Sequence, residues 1–180
     1  MNKNRFMTAF LISVLILISS RCFAAEVTLN DARAQVYFSP HGGATDAIVK
    51  ILTKAKSEIL VQAYSFTSTK IAKAMIDAHK RNVPIEIILD KSNVSKKYSA
   101  ADFMSHAGIP TYIDSQHAIA HNKIMIIDNE IVITGSFNFT KAAENNNAEN
   151  LMIISSKDLA KFYKENWSSH KEHSNRYEGK

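Results

Sequence analysis

Cysteine is almost absent from this 180-residue sequence, which contains only Cys22. That residue lies in the N-terminal segment 1–24, which we predict to be removed after Ala24. A mature chain without cysteine has no disulfide and no thiolate metal site. Its stability must therefore come from core packing, for which a 46% apolar composition provides enough side chains.

A long apolar run that could span a membrane is also missing. The run 10–18 follows Lys3 and Arg5 and precedes small residues at 24 and 25. This order is typical of a secretory signal peptide, and the run is shorter than the ~20 apolar residues of a membrane span. We expect export to the periplasm or the medium, with no stable membrane span after cleavage. An uncleaved N-terminal anchor is the alternative.

A strong excess of one charge is likewise missing. The whole chain has 22 basic and 17 acidic residues, which give a net charge of +5. Lys3, Arg5 and Arg21 belong to the predicted signal, so the mature chain keeps 19 basic residues and a balance of +2. This mild charge permits nucleic-acid binding without indicating it.

What the sequence does contain is an alternation of helix and strand patterns. Apolar residues recur at helical spacing in four segments: 47–55, 71–78, 95–106 and 158–167. Seven segments predict strands, and the fifth and sixth could form a hairpin: 34–38, 58–66, 84–90, 111–114, 123–128, 131–134 and 150–154. The alternation predicts one α/β domain over 25–170, followed by a polar tail, 171–180, that we expect to be frayed.

The segment 121–128 holds the first residues with an evident chemical use. Alternate residues of a strand share a face, so His121 and Lys123 point the same way, about 7 Å apart along the strand. An ammonium neutralises phosphate oxygens, and an imidazole can attack phosphorus or transfer a proton. Asp128 has the opposite parity, so we expect it to have a structural role.

Further polar residues follow this segment at short spacing. Gly135 allows a close backbone approach, and Ser136 and Asn138 can donate hydrogen bonds to a phosphate oxygen. Glu149 could accept a hydrogen bond from Nδ1 of His121. That bond would select one tautomer and leave Nε2 free to attack.

These residues form the ordered pattern His-x-Lys-x(4)-Asp-x(6)-Gly-Ser-x-Asn, which resembles the HKD motif of the phospholipase D superfamily. The continuation 135–150 and the upstream segments 37–40, 64–67 and 87–90 are similar to the small bacterial Nuc-type endonucleases of that superfamily. The resemblance implies a single α/β domain with a mixed β-sheet flanked by helices on both faces.

The resemblance also implies roles for individual residues. His121 matches the nucleophile that forms a covalent phosphohistidine, and Lys123 and Asn138 match the phosphate binders. Glu149 matches the carboxylate that orients the histidine, and Ser136 supports the pocket. No metal or other cofactor is implied. Family members use two HKD motifs per active site, and this sequence has one, so the resemblance implies a symmetric homodimer.

Other residues have plainer interpretations. We predict that His117 belongs to a loop and that His170 and His173, which could bind a metal, lie in a solvated tail. Tyr64 and Phe66 are predicted to be core residues rather than platforms for stacked bases. Three lysines either follow the phosphates of a nucleic acid or begin a solvated helix: Lys91, Lys96 and Lys97.

The sequence therefore predicts a secreted, metal-independent phosphodiesterase. Its preferred interpretation is a nonspecific endonuclease that cleaves DNA, with RNA as a further substrate. A phospholipase D that acts on phospholipid head groups is the first alternative, because both substrates are phosphodiesters. A noncatalytic nucleic-acid-binding module is the second, and the complete set from His121 to Glu149 argues against it.

Overall fold

The computed structural model describes residues 26–94 and 99–179. The predicted signal peptide 1–24 lies outside these ranges, and so do Lys96 and Lys97. Among the described residues, no helix combines the length and the apolar composition needed to cross a membrane.

The described residues form eight strands and five α-helices. The strands are β1 (Arg33–Ser39), β2 (Ile59–Ala63), β3 (Ile85–Asp90), β4 (Thr111–Asp114), β5 (Lys123–Ile127), β6 (Ile131–Gly135), β7 (Glu149–Ser155) and β8 (Asn175–Tyr177). The helices are α1 (Ala44–Lys54), α2 (Thr69–Lys80), α3 (Ala100–His106), α4 (Lys141–Asn145) and α5 (Lys157–Glu172). A single 3₁₀ turn follows β3 at Lys91–Val94.

All eight strands belong to one sheet in the order β1-β7-β6-β5-β2-β3-β4-β8. The pairs β2–β3 and β3–β4 are parallel and the other pairs are antiparallel, so the sheet is mixed. The predicted hairpin is confirmed, because β5 and β6 pair antiparallel around the turn between Ile127 and Ile131. Asn129 in this turn adopts a positive φ of 54°, which asparagine tolerates well.

Alternation along the strands divides the apolar residues between two layers. Val61 and Met125 point into the larger core, where they pack with Ile48 of α1. Leu60 points to the other face and belongs to a smaller core with Trp167 of α5. The indole Nε1 of Trp167 also donates a hydrogen bond to the carbonyl oxygen of Val61 at 2.9 Å. The sheet therefore has helices on both faces, as predicted.

Capping residues explain where two helices begin and end. Ser68 precedes α2, and its hydroxyl accepts a hydrogen bond from the amide of Ile71. Ser99 and Asp102 form a capping box at the start of α3. Gly108 follows α3 with a φ of 80°, which confirms the prediction that this glycine closes the helix.

The prediction of a frayed C-terminal tail is wrong. Helix α5 continues through Glu172, and β8 adds an edge strand that pairs antiparallel with β4. The Tyr177 hydroxyl donates to Oδ1 of Asp102 at 2.6 Å, which ties β8 to α3. A three-residue edge strand is too short to show alternation, so the sequence pattern did not reveal it.

Candidate active site

The sheet brings one end of each of five neighbouring strands, β1, β7, β6, β5 and β2, to the same side. Strands β5 and β7 begin there, with Lys123 and Glu149, and the antiparallel strands between and beside them end there. Tyr64 follows β2 and Ser136 follows β6, so both lie at the same edge. Tyr64 and Glu149 therefore lie at the same side of the sheet, although they are 85 positions apart in sequence. We call this side the rim, and its residues are Tyr64, His121, Lys123, Ser136, Asn138 and Glu149.

Lys123 is buried although its side chain carries a charge. It pairs with Ala63 of β2, and only 6% of it is exposed. Its Nζ donates a hydrogen bond to the carbonyl oxygen of His121 at 2.7 Å. Burial lowers the pKa of the ammonium, and the nearby carboxylate of Glu149 partly offsets that effect. A buried cation with one neutral acceptor has remaining donors for an anionic ligand.

His121 lies just before β5 and is exposed. Its ring centroid is 4.6 Å from that of Tyr64, at an interplanar angle of 56°. The same Tyr64 ring lies 5.0 Å from Nζ of Lys123, within the range of a cation–π contact. The half-buried Tyr64 therefore contacts both His121 and Lys123, which its prediction as a plain core residue missed. Phe66, two residues on, is 1% exposed and is a core residue as predicted.

The glycine of the motif is required by a close contact between β6 and β7. Gly135 has a φ of 148°, and a Cβ built there would lie 2.3 Å from the carbonyl oxygen of Asn150. That oxygen accepts hydrogen bonds from the amides of both Ser136 and Phe137. These two hydrogen bonds to one oxygen turn the chain sharply after β6. The chain then continues across the rim to Asn138.

Ser136 and Asn138 differ in their environments. The Ser136 hydroxyl accepts hydrogen bonds from the backbone and side-chain nitrogens of Asn150, at 3.1 and 3.4 Å. Asn138 lies between the buried Phe137 and Phe139 in sequence, and its Oδ1 is buried without a hydrogen-bond partner among the residues that the structure describes. An unpartnered buried oxygen is costly in a folded protein and often marks a site that a ligand completes.

Glu149 is held at the rim by neighbours other than the histidine. Its amide donates to the hydroxyl of Ser39 at 3.2 Å, and its Oε1 accepts from Nδ2 of Asn147 at 3.1 Å. Within residues 26–94 and 99–179, no hydrogen bond joins Glu149 to His121. The bond expected from the sequence is therefore not formed inside one chain, and the role of Glu149 stays a prediction.

Asp128 lies at the far end of β5, about 16 Å from Lys123 at the rise of a regular strand. Its carboxylate accepts hydrogen bonds from the amides of Lys56, Ser57 and Glu58 and from the Ser57 hydroxyl, at 2.7 to 3.1 Å. Burial opposes ionisation, but these hydrogen bonds outweigh it and lower the pKa of Asp128. Asp128 braces the turn before β2 and has no part in the rim.

An exposed imidazole beside a buried ammonium, at a rim that also carries a serine, an asparagine and a glutamate, can bind a phosphodiester and attack it. These features define a hydrolase of the phospholipase D superfamily that cleaves phosphodiesters. The chain belongs to the family described as cardiolipin synthase, PLD-like domain, whose model matches residues 48–171.

Curated relatives and solved structures agree with this assignment. A protein of Rickettsia typhi named phospholipase D is 46% identical over 143 residues, which cover 79% of this chain and 70% of the relative. The human protein named mitochondrial cardiolipin hydrolase is 28% identical over 127 residues, 70% of this chain and 50% of that protein. The crystal structure of Nuc from Salmonella typhimurium, a phospholipase D family member, has a TM-score of 0.78 and 38% identity. That match covers 82% of this chain and 99% of Nuc.

Proposed function

We propose that this protein is an exported, nonspecific endonuclease that hydrolyses DNA, and RNA as a further substrate, without a metal ion. The observation that carries the proposal is the likeness to Nuc, which extends over 99% of that chain at 38% identity. The same rim residues, His121 and Lys123, supply the chemistry in either nucleic acid, since both contain the same phosphodiester.

The proposed reaction has two displacements. A neutral ring nitrogen of His121 attacks phosphorus, and the bond from phosphorus to the leaving oxygen breaks as that oxygen receives a proton. Water then attacks the phosphohistidine, the phosphorus–nitrogen bond breaks and the imidazole is regenerated. Lys123 and Asn138 stabilise the negative charge on the phosphoryl oxygens, a task that metal ions perform in other phosphodiesterases.

The proton donor for the first displacement has to be a second acid at the same site. A protonated imidazole suits this role, and the motif occurs once in this chain. We therefore place the active site on the twofold axis of a homodimer, where two copies of His121 face one phosphate. In that arrangement each Glu149, which does not bond its own histidine, is available to the histidine of the other chain.

Phospholipid is the second candidate substrate, and two observations favour it. The Rickettsia relatives at 41–46% identity are named phospholipase D. A largely apolar groove of about 620 Å³ also lies between α2 and α3, with Phe66, Ala72, Phe103 and Met104 among its lining residues. Phe66, one of these lining residues, lies two positions after Tyr64 in the sequence.

One substrate panel separates these candidates. The exported protein is given supercoiled plasmid, single-stranded DNA, RNA, phosphatidylcholine and cardiolipin, all in excess EDTA. We expect nicking and then linearisation of the plasmid, loss of that activity in His121→Ala and retention in His79→Gln, a histidine on α2 outside the rim.

Each contrary outcome of the panel identifies a different error. Release of lipid head groups without cleavage of nucleic acid would make phospholipid the substrate. Binding of DNA without turnover on any substrate would indicate the noncatalytic module. Loss of all cleavage in EDTA, restored by Mg²⁺ or Ca²⁺, would contradict the metal-free mechanism.

A further inference from the structure

A second cluster of chemically competent side chains lies away from the catalytic rim. It comprises Asp114 at the end of β4, His117 in the following loop, His170 in the last turn of α5 and His173 at its C-terminal cap. One ligand atom from each residue lies within 4.8 Å of those from the other three. Both histidines assigned to a solvated tail by the sequence are thus part of an organised cluster.

The three imidazoles converge on one carboxylate oxygen. Oδ2 of Asp114 is 2.9 Å from Nδ1 of His117, 3.0 Å from Nδ1 of His170 and 3.4 Å from Nε2 of His173. The side chain of Asp114 is fully buried. A carboxylate oxygen has two lone pairs, so Oδ2 cannot bond all three ring nitrogens at once, and Nδ1 of His117 also lies 3.1 Å from Oδ1.

These separations match the edges of a metal coordination shell. Zinc binds imidazole nitrogen and carboxylate oxygen at roughly 2.0–2.1 Å in a tetrahedron, whose edge is then roughly 3.3 Å. The nitrogen-to-oxygen distances of 2.9–3.4 Å already have this size. The ring centroids, 4.9 to 5.3 Å apart, surround a common centre. A small inward movement of the rings would complete the shell.

We propose that Asp114, His117, His170 and His173 bind one Zn²⁺ ion per chain. Imidazole and carboxylate ligands select a borderline transition-metal ion over Mg²⁺ or Ca²⁺, which prefer shells built from oxygen. Four protein ligands close a tetrahedral shell and leave no open position for substrate or water. The site is therefore structural.

The position of the site indicates what the ion would hold together. Asp114 pairs with Asp90 on the α5 side of the sheet, whereas Lys123 shares the opposite face with Ala63 and Leu89. The ion would join the C-terminal end of α5 to the loop 115–122, which contains His121. It would stabilise that loop from the face opposite to the phosphate.

Zinc titration of the purified protein tests this proposal. The protein is freed of metal with EDTA, transferred to chelator-free buffer and titrated with ZnCl₂ by calorimetry. We expect one Zn²⁺ per chain with a Kd below about 1 µM and a higher Tm in the zinc-loaded protein. The double variant His170→Ala/His173→Ala should bind at least about 100-fold more weakly and lose the zinc-dependent rise in Tm.

Three further variants decide what a negative result means. His117→Gln changes a residue of an exposed loop, so it should fold and still lose the tight site. His79→Gln and His121→Ala should bind Zn²⁺ as the wild type does. The proposal would be overturned if both His117→Gln and the double variant bound Zn²⁺ as tightly as the wild type. It would also be overturned if His121→Ala lost Zn²⁺ binding, or if the wild type had no tight site. Cleavage of DNA in EDTA is measured separately, so the endonuclease proposal stands or fails independently.

Discussion

The Nζ of Lys123 donates a hydrogen bond to the carbonyl oxygen of His121 at 2.7 Å. The lysine is buried and the histidine is exposed, so this bond joins the sheet to the segment that carries the proposed nucleophile. The same ammonium is the cation that a phosphate at the rim would meet. In the proposed mechanism, one side chain therefore both positions His121 and neutralises the substrate.

Replacement of that side chain should affect catalysis far more than folding. We expect Lys123→Met, which keeps the buried volume, to lower kcat/KM by roughly 100-fold or more, as removal of a transition-state donor commonly does. Burial lowers the pKa of Lys123, so this side chain loses its charge at a pH below the ordinary lysine pKa of about 10.4. Because a neutral amine no longer attracts phosphate, the affinity of the wild type for DNA should fall as the pH rises through that lowered pKa. Steady-state kinetics across pH measures both effects. Lys50→Met, on the exposed face of α1, is the control, and equal activity of the two variants would refute the role of Lys123.

Asp128 should matter for stability and not for chemistry. Asp128→Asn removes the charge that accepts hydrogen bonds from three backbone amides, and we expect unfolding to become easier by about 1–3 kcal/mol. The control is Asp31→Asn, because Asp31 is exposed and has a nearly identical φ, 56° against 55°. Denaturant titration measures the difference, and cleavage well below the Tm should be unchanged.

The sign of the pH dependence at Asp128 follows from its pKa, which is lower in the folded protein than the unfolded value of about 3.9. Its contribution to stability is fully present above the unfolded pKa and is lost as pH falls through the folded pKa. The stability difference between wild type and Asp128→Asn should therefore shrink in acid. A difference that persists unchanged to the lowest accessible pH would contradict this assignment.

The larger part of the fold could be predicted from local patterns. The β5–β6 hairpin, the capping residue Ser68 and the helix end at Gly108 all have signals within a few residues. Strand β8 was not predicted because three residues are too few to show the alternation of apolar and polar side chains that marks a strand. Metal binding by His170 and His173 was considered from the sequence, but the complete four-residue cluster was not predicted, because His170 and Asp114 are 56 positions apart. In the sequence, only the pairs Asp114-x-x-His117 and His170-x-x-His173 indicated this cluster. Neither pair alone is specific for a metal site.

The rim itself was only partly predictable. Strand parity predicted that His121 and Lys123 lie together and that Asp128 lies apart from them, although in the structure β5 includes only Lys123 of these three residues. Parity could not show that Tyr64 packs on both, since β2 meets β5 only in the folded sheet. It also could not show that Glu149 is bonded to Asn147 rather than to His121, because that depends on how β1 and β7 pair at Ser39.

Gly135 should tolerate no side chain. Gly135→Ala would place a Cβ 2.3 Å from a backbone oxygen of β7 at a φ of 148°, so we expect a loss of about 2–4 kcal/mol in stability. Gly43 also has a positive φ, 79°, but open space around its Cβ position. Gly43→Ala should therefore cost only the conformational part, about 1 kcal/mol. Thermal unfolding of both variants compares the loss of stability at Gly135, where a backbone contact is added, with the loss at Gly43, where none is. Equal losses of stability would show that the contact with β7 is unimportant.

The proposed active site, shared between two chains, predicts interference between them. When wild type and His121→Ala are mixed in equal amounts and allowed to exchange, half of the wild-type chains pair with a variant chain. Because a mixed dimer has one histidine at its site, activity per wild-type chain should fall to about half. A mixture kept below the exchange temperature is the control. Unchanged activity after exchange would mean that each chain has a complete site.

The most direct measurement of the central claim is acid-free capture of the reaction intermediate in EDTA. Enzyme and an end-labelled oligonucleotide are mixed, quenched in alkali within one turnover and digested, and the peptides are analysed by mass spectrometry. A nucleotide adduct on His121, stable in alkali, lost in acid and absent from His121→Ala, is the predicted result. Rapid cleavage in EDTA with no adduct on His121, and with undiminished activity in His121→Ala, would contradict the account.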